Sequence, residues 1–294
     1  MEKLDRHSSS IESSTEKYHI FCKNLDLLSL IQPIHINKER AILKALIENK
    51  KKLKRAEFVV KIGESETIKK EYYIGTEIYK KIPGFIEYYC LITCNESLDK
   101  YKHNESLRNK KLCTYDSKDT QMNILVMPYI SAGSMRSFDW NETNIDLFKS
   151  CLKQLCTSLF IAFNMFGFLH TDIHLGNVLM KPTNAKSVMY SNIAIPLYGY
   201  KIVIMDFEHS FINVDKKETG YFYKDIGHIL DDISYHLELN FAEMPEIYTF
   251  ITGRYFKSSN IDDFIQVINK IDTLTFISKP KRRSSVYNPK NVFN

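Results

Sequence analysis

The chain has 294 residues, 44% of them hydrophobic and 26% charged, with a formal net charge of +5. That length and composition supply a substantial apolar core and exclude fibrous, collagen-like and wholly disordered organisation. Apolar stretches such as Ile124 to Met127 are broken by polar residues well before the roughly 20 needed to cross a bilayer, so no membrane span is expected.

Residues 1–17, rich in Ser, Glu and Lys, read as a flexible arm. They lack the apolar centre of a secretory signal. A cytoplasmic, reducing location is therefore expected, with the six cysteines as thiols and no disulfides. Cys90, Cys94, Cys113 and His103 can be assembled into a zinc site, but without paired CxxC spacing buried thiols are the expected reading. Residues 38–55 look helical and basic. Ala56 to Ile62 then form a short β-branched strand ending in Lys61. Over residues 66–82, Ile68, Tyr72, Gly75, Ile78 and Ile82 recur at helical steps until Pro83-Gly84 stops them. Glu71 and Glu77 both ride on that helix.

Strands are expected at Phe85 to Thr93 and Met122 to Met127, separated by a polar insertion of about 28 residues. Met127 to Ser134 is a connector. From Thr143 to Phe166, Ile145, Phe148, Leu152, Leu155, Leu159, Phe163 and Phe166 keep helical period and stop at Gly167. Two short strands follow, Val178 to Met180 and Ile202 to Met205, then helices at about 223–239, 243–252 and 261–270. The tail from Lys279 is basic and expected to be mobile. The runs Lys50 to Lys52 with Lys54 and Arg55, and Lys279 with Lys281 to Arg283, read as solvated charge. No aromatic-rich basic motif accompanies them, so a nucleic-acid partner is not expected.

Three islands carry chemistry: Lys61 at a strand end, His170-Thr171-Asp172-Ile173-His174-Leu175-Gly176-Asn177, and Asp206-Phe207-Glu208 after a strand. A strand-end amine can pair nucleotide phosphates if a helix carboxylate holds it, and Glu71 or Glu77 can supply that carboxylate. Glu71 lies on the inward stripe; Glu77 has the more usual distance from the lysine. Asp172 can face an incoming hydroxyl, while Asn177 and Asp206 provide oxygens to magnesium.

These islands resemble the eukaryotic-type protein kinase-like superfamily. HTDIHLGN is similar to the H-x-D-x-x-x-x-N catalytic loop, FVVK to the V-A-I-K strand, and MDFE to D-F-G except at its third residue. LVMPYISAGSM resembles a kinase hinge, and YKDIGHIL resembles the start of a large helix whose aspartate, here Asp225, braces the catalytic loop. The resemblance spans about residues 56–232. It implies an α+β, two-lobed fold with a small β-rich N-lobe (18–126), a mainly helical C-lobe (127–278) and a basic tail (279–294). ATP and Mg²⁺ are the implied cofactors. Lys61, Glu71, Met127, Tyr129, Asn177 and Asp206 would bind the nucleotide, Asn177 and Asp206 the metal, and Asp172 would orient the acceptor hydroxyl.

Departures from the family narrow the reading. No glycine precedes Gly63, so the glycine-rich phosphate loop is absent, and Lys50 to Lys54 are one candidate source of replacement charge. Only 18 residues separate Asp206 from Asp225, leaving little room for a regulated activation loop. His174 and Glu208 resemble aminoglycoside and choline phosphotransferases, whereas the hinge and EYYIGTEIYKKIPGF resemble kinase-like proteins of large DNA viruses. The expected activity is serine/threonine phosphorylation of a protein substrate; a small-molecule phosphotransferase and a pseudokinase scaffold are the alternatives. His170 is expected to be structural, bonding backbone near Asp206. Neither the substrate's identity nor the oligomeric state is legible.

Overall fold

The computed structural model describes residues 29–49, 54–63, 66–102, 107, 112–113, 120–236 except 192, 216 and 218, then 240–241, 261–274 and 276–277. The arm 1–17, Lys50 to Lys52, His103, the expected helix 243–252 and the tail from Lys279 lie outside the described residues. The fold is mixed α/β, with a sheet-rich part followed by a part dominated by helices.

Five antiparallel strands form the main sheet in the order β1-β2-β3-β5-β4. They are β1 (Ser29–Ile36), β2 (Arg40–Asn49), β3 (Lys54–Gly63), β4 (Cys90–Glu96) and β5 (Thr120–Pro128). β2 corrects the expected basic helix at 38–55. Its Ala, Leu, Lys, Arg and Glu residues favour helix locally, but its whole length pairs with β3 and most of it with β1. Ala41, Leu43 and Ala45 alternate into a core with Val60, Ile62, Ile124 and Val126, while Ile42 and Lys44 face the other way. That opposite face carries Lys61, whose register partners are Ile42 on β2 and Leu125 on β5.

Helix α1 (Glu66–Tyr79) lies against the sheet through Ile68, Glu71, Ile74, Gly75 and Ile78. It ends three residues before the expected limit. The strand expected at Phe85 to Thr93 is displaced to β4, because residues 84–86 bond elsewhere: Ile204 N–H donates to Gly84 O (2.7 Å) and Ile86 N–H to Ile204 O (2.9 Å). These bonds fasten the sheet-rich part to the strand that leads into Asp206. The polar insertion contains α2 (Asp99–Lys102).

Cys94 and Cys113 form a disulfide across the base of this insertion, which corrects both the expected free thiols and the zinc alternative. The insertion returns over β4, where Cys113 N–H donates to Glu96 at 2.9 Å, and this brings the two cysteines to a Cα separation of 5.4 Å. Cys90 is also disulfide-bonded; Cys151 and Cys156 are free, buried thiols.

A 3-10 turn (Glu142–Asn144), capped by the Asn141 side chain, leads into α3 (Ile145–Phe166). Along α3, Phe148, Leu152, Leu155, Leu159 and Phe163 are at most 1% exposed, and each such burial favours folding by about 1.5–3 kcal/mol. Gly167 ends the helix in the left-handed region (φ +57°), where a Cβ would lie 2.3 Å from Val214 O. Beyond it the antiparallel pairs β6 (Val178–Pro182) with β9 (Tyr200–Ile204), and β7 (Ser187–Tyr190) with β8 (Ile193–Pro196), precede α4 (Thr219–His236). β10 (Asn240–Phe241), α5 (Ile261–Asp272) and β11 (Phe276–Ile277) complete the described chain. Among the described residues, no helix is long and apolar enough to cross a membrane.

Candidate active site

Lys61 sits near the end of β3, 3% exposed, where its ammonium is desolvated and must be paired. Its Nζ lies 2.7 Å from Glu71 Oε2, 2.9 Å from Asp206 Oδ1 and 2.8 Å from Glu208 Oε1. Burial draws its pKa down, but the three carboxylates prevail and raise it, so it is charged. Glu71 is pushed up by burial against the pull of Lys61, and it accepts a 2.5 Å hydrogen bond from Tyr88 Oη. Of the two candidate helix carboxylates, the structure brings Glu71 to the lysine and leaves Glu77 exposed.

Asp206 follows β9 with φ at +69°, a conformation that costs a non-glycine residue of order 1–3 kcal/mol. Burial raises its pKa, yet Lys61, with Arg40 and His170 assisting, holds it below the ordinary range. The strain is held in place by Phe207, a fully buried ring packed against Phe85, Tyr88, Phe168 and His170.

The loop after α3 is braced from two sides. Leu169 and Phe211 exchange backbone hydrogen bonds of 3.0 and 2.8 Å, joining it to the Asp206 segment. Asp225, on α4, accepts from the backbone N–H groups of His170 (2.8 Å) and Thr171 (3.0 Å). Asp232, two turns further along α4, accepts from Leu175 N–H (2.7 Å) and pairs with Arg136 (2.8 Å). This second brace was not read from the sequence.

His170 is fully buried, which lowers its pKa and keeps it neutral. Its Nε2 lies 3.0 Å from Met205 O, an acceptor only, so Nε2 carries the proton. The carboxylates of both Asp206 and Asp172 favour its charged form without offsetting the burial. Asn177 Nδ2 donates to Asp172 O at 3.1 Å, leaving its Oδ1 as the amide atom available to a cation. His174 Nδ1 accepts from Gly176 N–H and closes the turn locally. The Asp172 side chain is exposed and lines a cavity of about 610 Å³ with His174, His228, Asp231, Asp232 and Tyr235.

Met127 is buried on β5 opposite Val59. Tyr129 N–H donates to Glu57 O (3.3 Å), and the Tyr129 ring lies beneath Lys44. Glu208 takes a larger part than its sequence reading gave it: besides Lys61, it binds Arg40 Nη1 at 2.8 Å. Lys54 opens β3 at the end opposite Lys61 and Gly63.

A family model described as ABC1 atypical kinase-like domain matches residues 102–230, which include β5, α3, the Asp172 loop and Asp206. The serine/threonine-protein kinase haspin of Mus musculus is 38% identical over 71 residues, 23% of this chain and 9% of that protein. The haspin homolog of Arabidopsis thaliana is 33% identical over 78 residues, 25% of this chain and 13% of that protein. The matches span about a tenth of the length of these curated relatives. The similarity is to the protein kinase-like superfamily.

Within this kinase-like arrangement the Asp225 brace is pH-sensitive. Burial pushes its carboxyl from 3.8 up to about 6, against the two backbone N–H groups, His228 and Lys224. Between about pH 4 and 6 the folded chain therefore holds a proton that the unfolded chain has released, and the Asp225 contribution to stability falls as pH rises through that window, by roughly 3 kcal/mol. Asp225→Asn is expected to remove this slope, measured as the change in denaturant midpoint between pH 4 and 7; equal slopes in variant and wild type would contradict it.

Proposed function

We propose that the chain is an ATP-dependent phosphotransferase that moves the γ-phosphoryl group of Mg-ATP to a serine or threonine hydroxyl of a protein. The observation that carries this reading is the ion cluster centred on Lys61, which draws together residues from β3, α1 and the segment after β9, beside a loop presenting Asp172. On this reading the part up to about residue 126 and the part from 127 are two lobes with the nucleotide between them.

The residues fit magnesium. One carboxylate oxygen from each of Glu71, Asp206 and Glu208 lies within 4.8 Å of the others, and Asn177, whose backbone O accepts from Met205 N–H at 3.0 Å, adds an amide oxygen from the neighbouring loop, a set of the hard donors this ion takes. Three carboxylates face two cations, Lys61 and Arg40, a local excess of one negative charge that a divalent ion would reverse. Asp206 and Asn177 would hold the metal, which when bound screens the charge of the transferring phosphoryl group.

Lys61, fixed by Glu71, holds phosphate oxygens. Asp172, exposed to the cavity, orients the acceptor hydroxyl and takes its proton. Buried His170 keeps its proton on Nε2 and positions the backbone on either side. The haspin kinases named above, serine/threonine-protein kinases by description, support a hydroxyl of a protein as the acceptor.

The test is incubation of wild type and Asp172→Ala with labelled ATP, a generic protein mixture and a panel of amino-alcohol and sugar acceptors. Wild type is expected to label protein, and the variant to be slower by a factor of roughly 10² or more with an unchanged circular dichroism spectrum. Labelling of a small acceptor alone would replace the protein substrate, and equal rates in the two proteins would refute the assignment.

A further inference from the structure

We propose that Arg40 is a phosphate-binding residue that takes the place of a glycine-rich loop; this rests on the nucleotide reading of the site given above. A glycine-rich loop holds phosphates largely through its free backbone N–H groups. The turn between β1 and β2 has committed three of its four amides, those of Asn37, Glu39 and Arg40. Asn37 Oδ1 accepts from Glu39 N–H at 2.9 Å and Arg40 N–H at 2.8 Å, and Asn37 N–H donates to Arg40 O at 3.0 Å. With those three committed, the turn offers no row of free amides to negative charge beneath it, and a side chain has to meet that charge.

Arg40 is placed for that. It pairs with Gly63 in the β2–β3 register, two positions from the Ile42–Lys61 pair, so strand alternation sends the Arg40 and Lys61 side chains from the same face. Its guanidinium reaches Glu208 at 2.8 Å, and the other oxygen of that carboxylate touches Lys61 at 2.8 Å. Glu208 thus spans the two cations at the separation one oxyanion can bridge. Arg40 keeps 30% of its side-chain exposure, whereas Lys61 keeps 4% and is already ringed by three carboxylates. Arginine also offers a planar fork that suits phosphate oxygens.

The glutamate in this picture is a stand-in for the phosphate. When a triphosphate enters, Arg40 transfers from Glu208 to a phosphate oxygen, and Glu208 remains held by Lys61. The substitution of Glu for the usual glycine after Asp206-Phe207 and the loss of the glycine-rich loop then become one paired change, with Glu208 and Arg40 lying 168 positions apart in the chain.

The experiment is titration calorimetry of the full chain with Mg-ATP, with adenosine and with inorganic tripolyphosphate, for wild type, Arg40→Gln and Arg40→Lys. Arg40→Gln is expected to weaken Mg-ATP and tripolyphosphate about tenfold or more and to leave adenosine within about twofold, with Arg40→Lys intermediate. An unchanged ratio of ATP to adenosine affinity in Arg40→Gln, with wild type binding ATP well, would overturn the role of Arg40 alone. Failure of wild type to bind either Mg-ATP or adenosine would instead overturn the nucleotide reading and this inference together. Thermal melting without ligand checks that each variant is folded, and Arg40→Lys, which keeps the charge, supplies the comparison if Arg40→Gln melts early.

Discussion

Replacing Asp206 with alanine is expected to slow phosphoryl transfer by roughly 10³ or more while the fold survives. The rate falls because this carboxylate would hold the metal while also contacting Lys61 at 2.9 Å. The fold survives because Lys61 keeps Glu71 and Glu208, so no charge is left buried without a partner. Some stability is lost at neutral pH. The Asp206 pKa lies below its unfolded value, so its favourable contribution is present above that value and vanishes as the pH drops through the folded one; alanine forfeits it. Single-turnover transfer and a denaturation curve taken together test this, and a rate within tenfold of wild type would remove Asp206 from the chemistry. Asp206→Asn, which retains an oxygen donor, is expected to fall between the two.

The sequence made some of this site legible because its parts are local. The eight residues from His170 to Asn177 form one loop, and the long helix before them has an apolar period too regular to mistake. Asp225 could be anticipated from resemblance to a helix start, and its two backbone partners lie in that same loop. Choosing Glu71 over Glu77 followed from the inward stripe of α1, since a carboxylate on the solvent side cannot turn to meet a lysine on the sheet.

What stayed hidden depends on contacts between distant residues. Residues 38–55 carry good helix formers, and only pairing with β1 and β3 makes β2 a strand. Residues 84–86 resemble the start of a strand but join β9 instead of the main sheet. The Cys94–Cys113 bond depends on how the insertion folds back, which spacing does not reveal. Glu208 read as a lost glycine because its partners, Arg40 and Lys61, precede it by about half of the chain. Asp232 gave no signal either: a carboxylate on an amphipathic helix looks like surface charge until Leu175 N–H and Arg136 are seen at its oxygens.

Gly75→Ala is expected to damage the site from a position that touches no reacting group. A Cβ at residue 75 would lie 2.2 Å and 2.5 Å from ring carbons of Tyr88 and 3.0 Å from Phe207. Neither ring has room to retreat. Tyr88 is 6% exposed and is anchored through its hydroxyl to Glu71, and Phe207 is fully buried behind Asp206. The added methyl group must therefore push α1 off the sheet, and Glu71 moves with it, away from Lys61. Overpacking of this kind costs about 1–3 kcal/mol, and misplacing the lysine lowers transfer by roughly 10². Gly220→Ala supplies the control: the position is exposed and, among the described residues, nothing lies within 4 Å of a Cβ there, so α4 gains helix propensity at no steric cost and stability holds or rises. Adding Tyr88→Leu to Gly75→Ala separates the two effects. It restores the space but removes the hydroxyl that holds Glu71, so melting temperature should recover further than activity. If Gly75→Ala matched wild type in both, α1 would have to be free to shift without moving the Lys61–Glu71 pair, and the close approach at residue 75 would have no bearing on the chemistry.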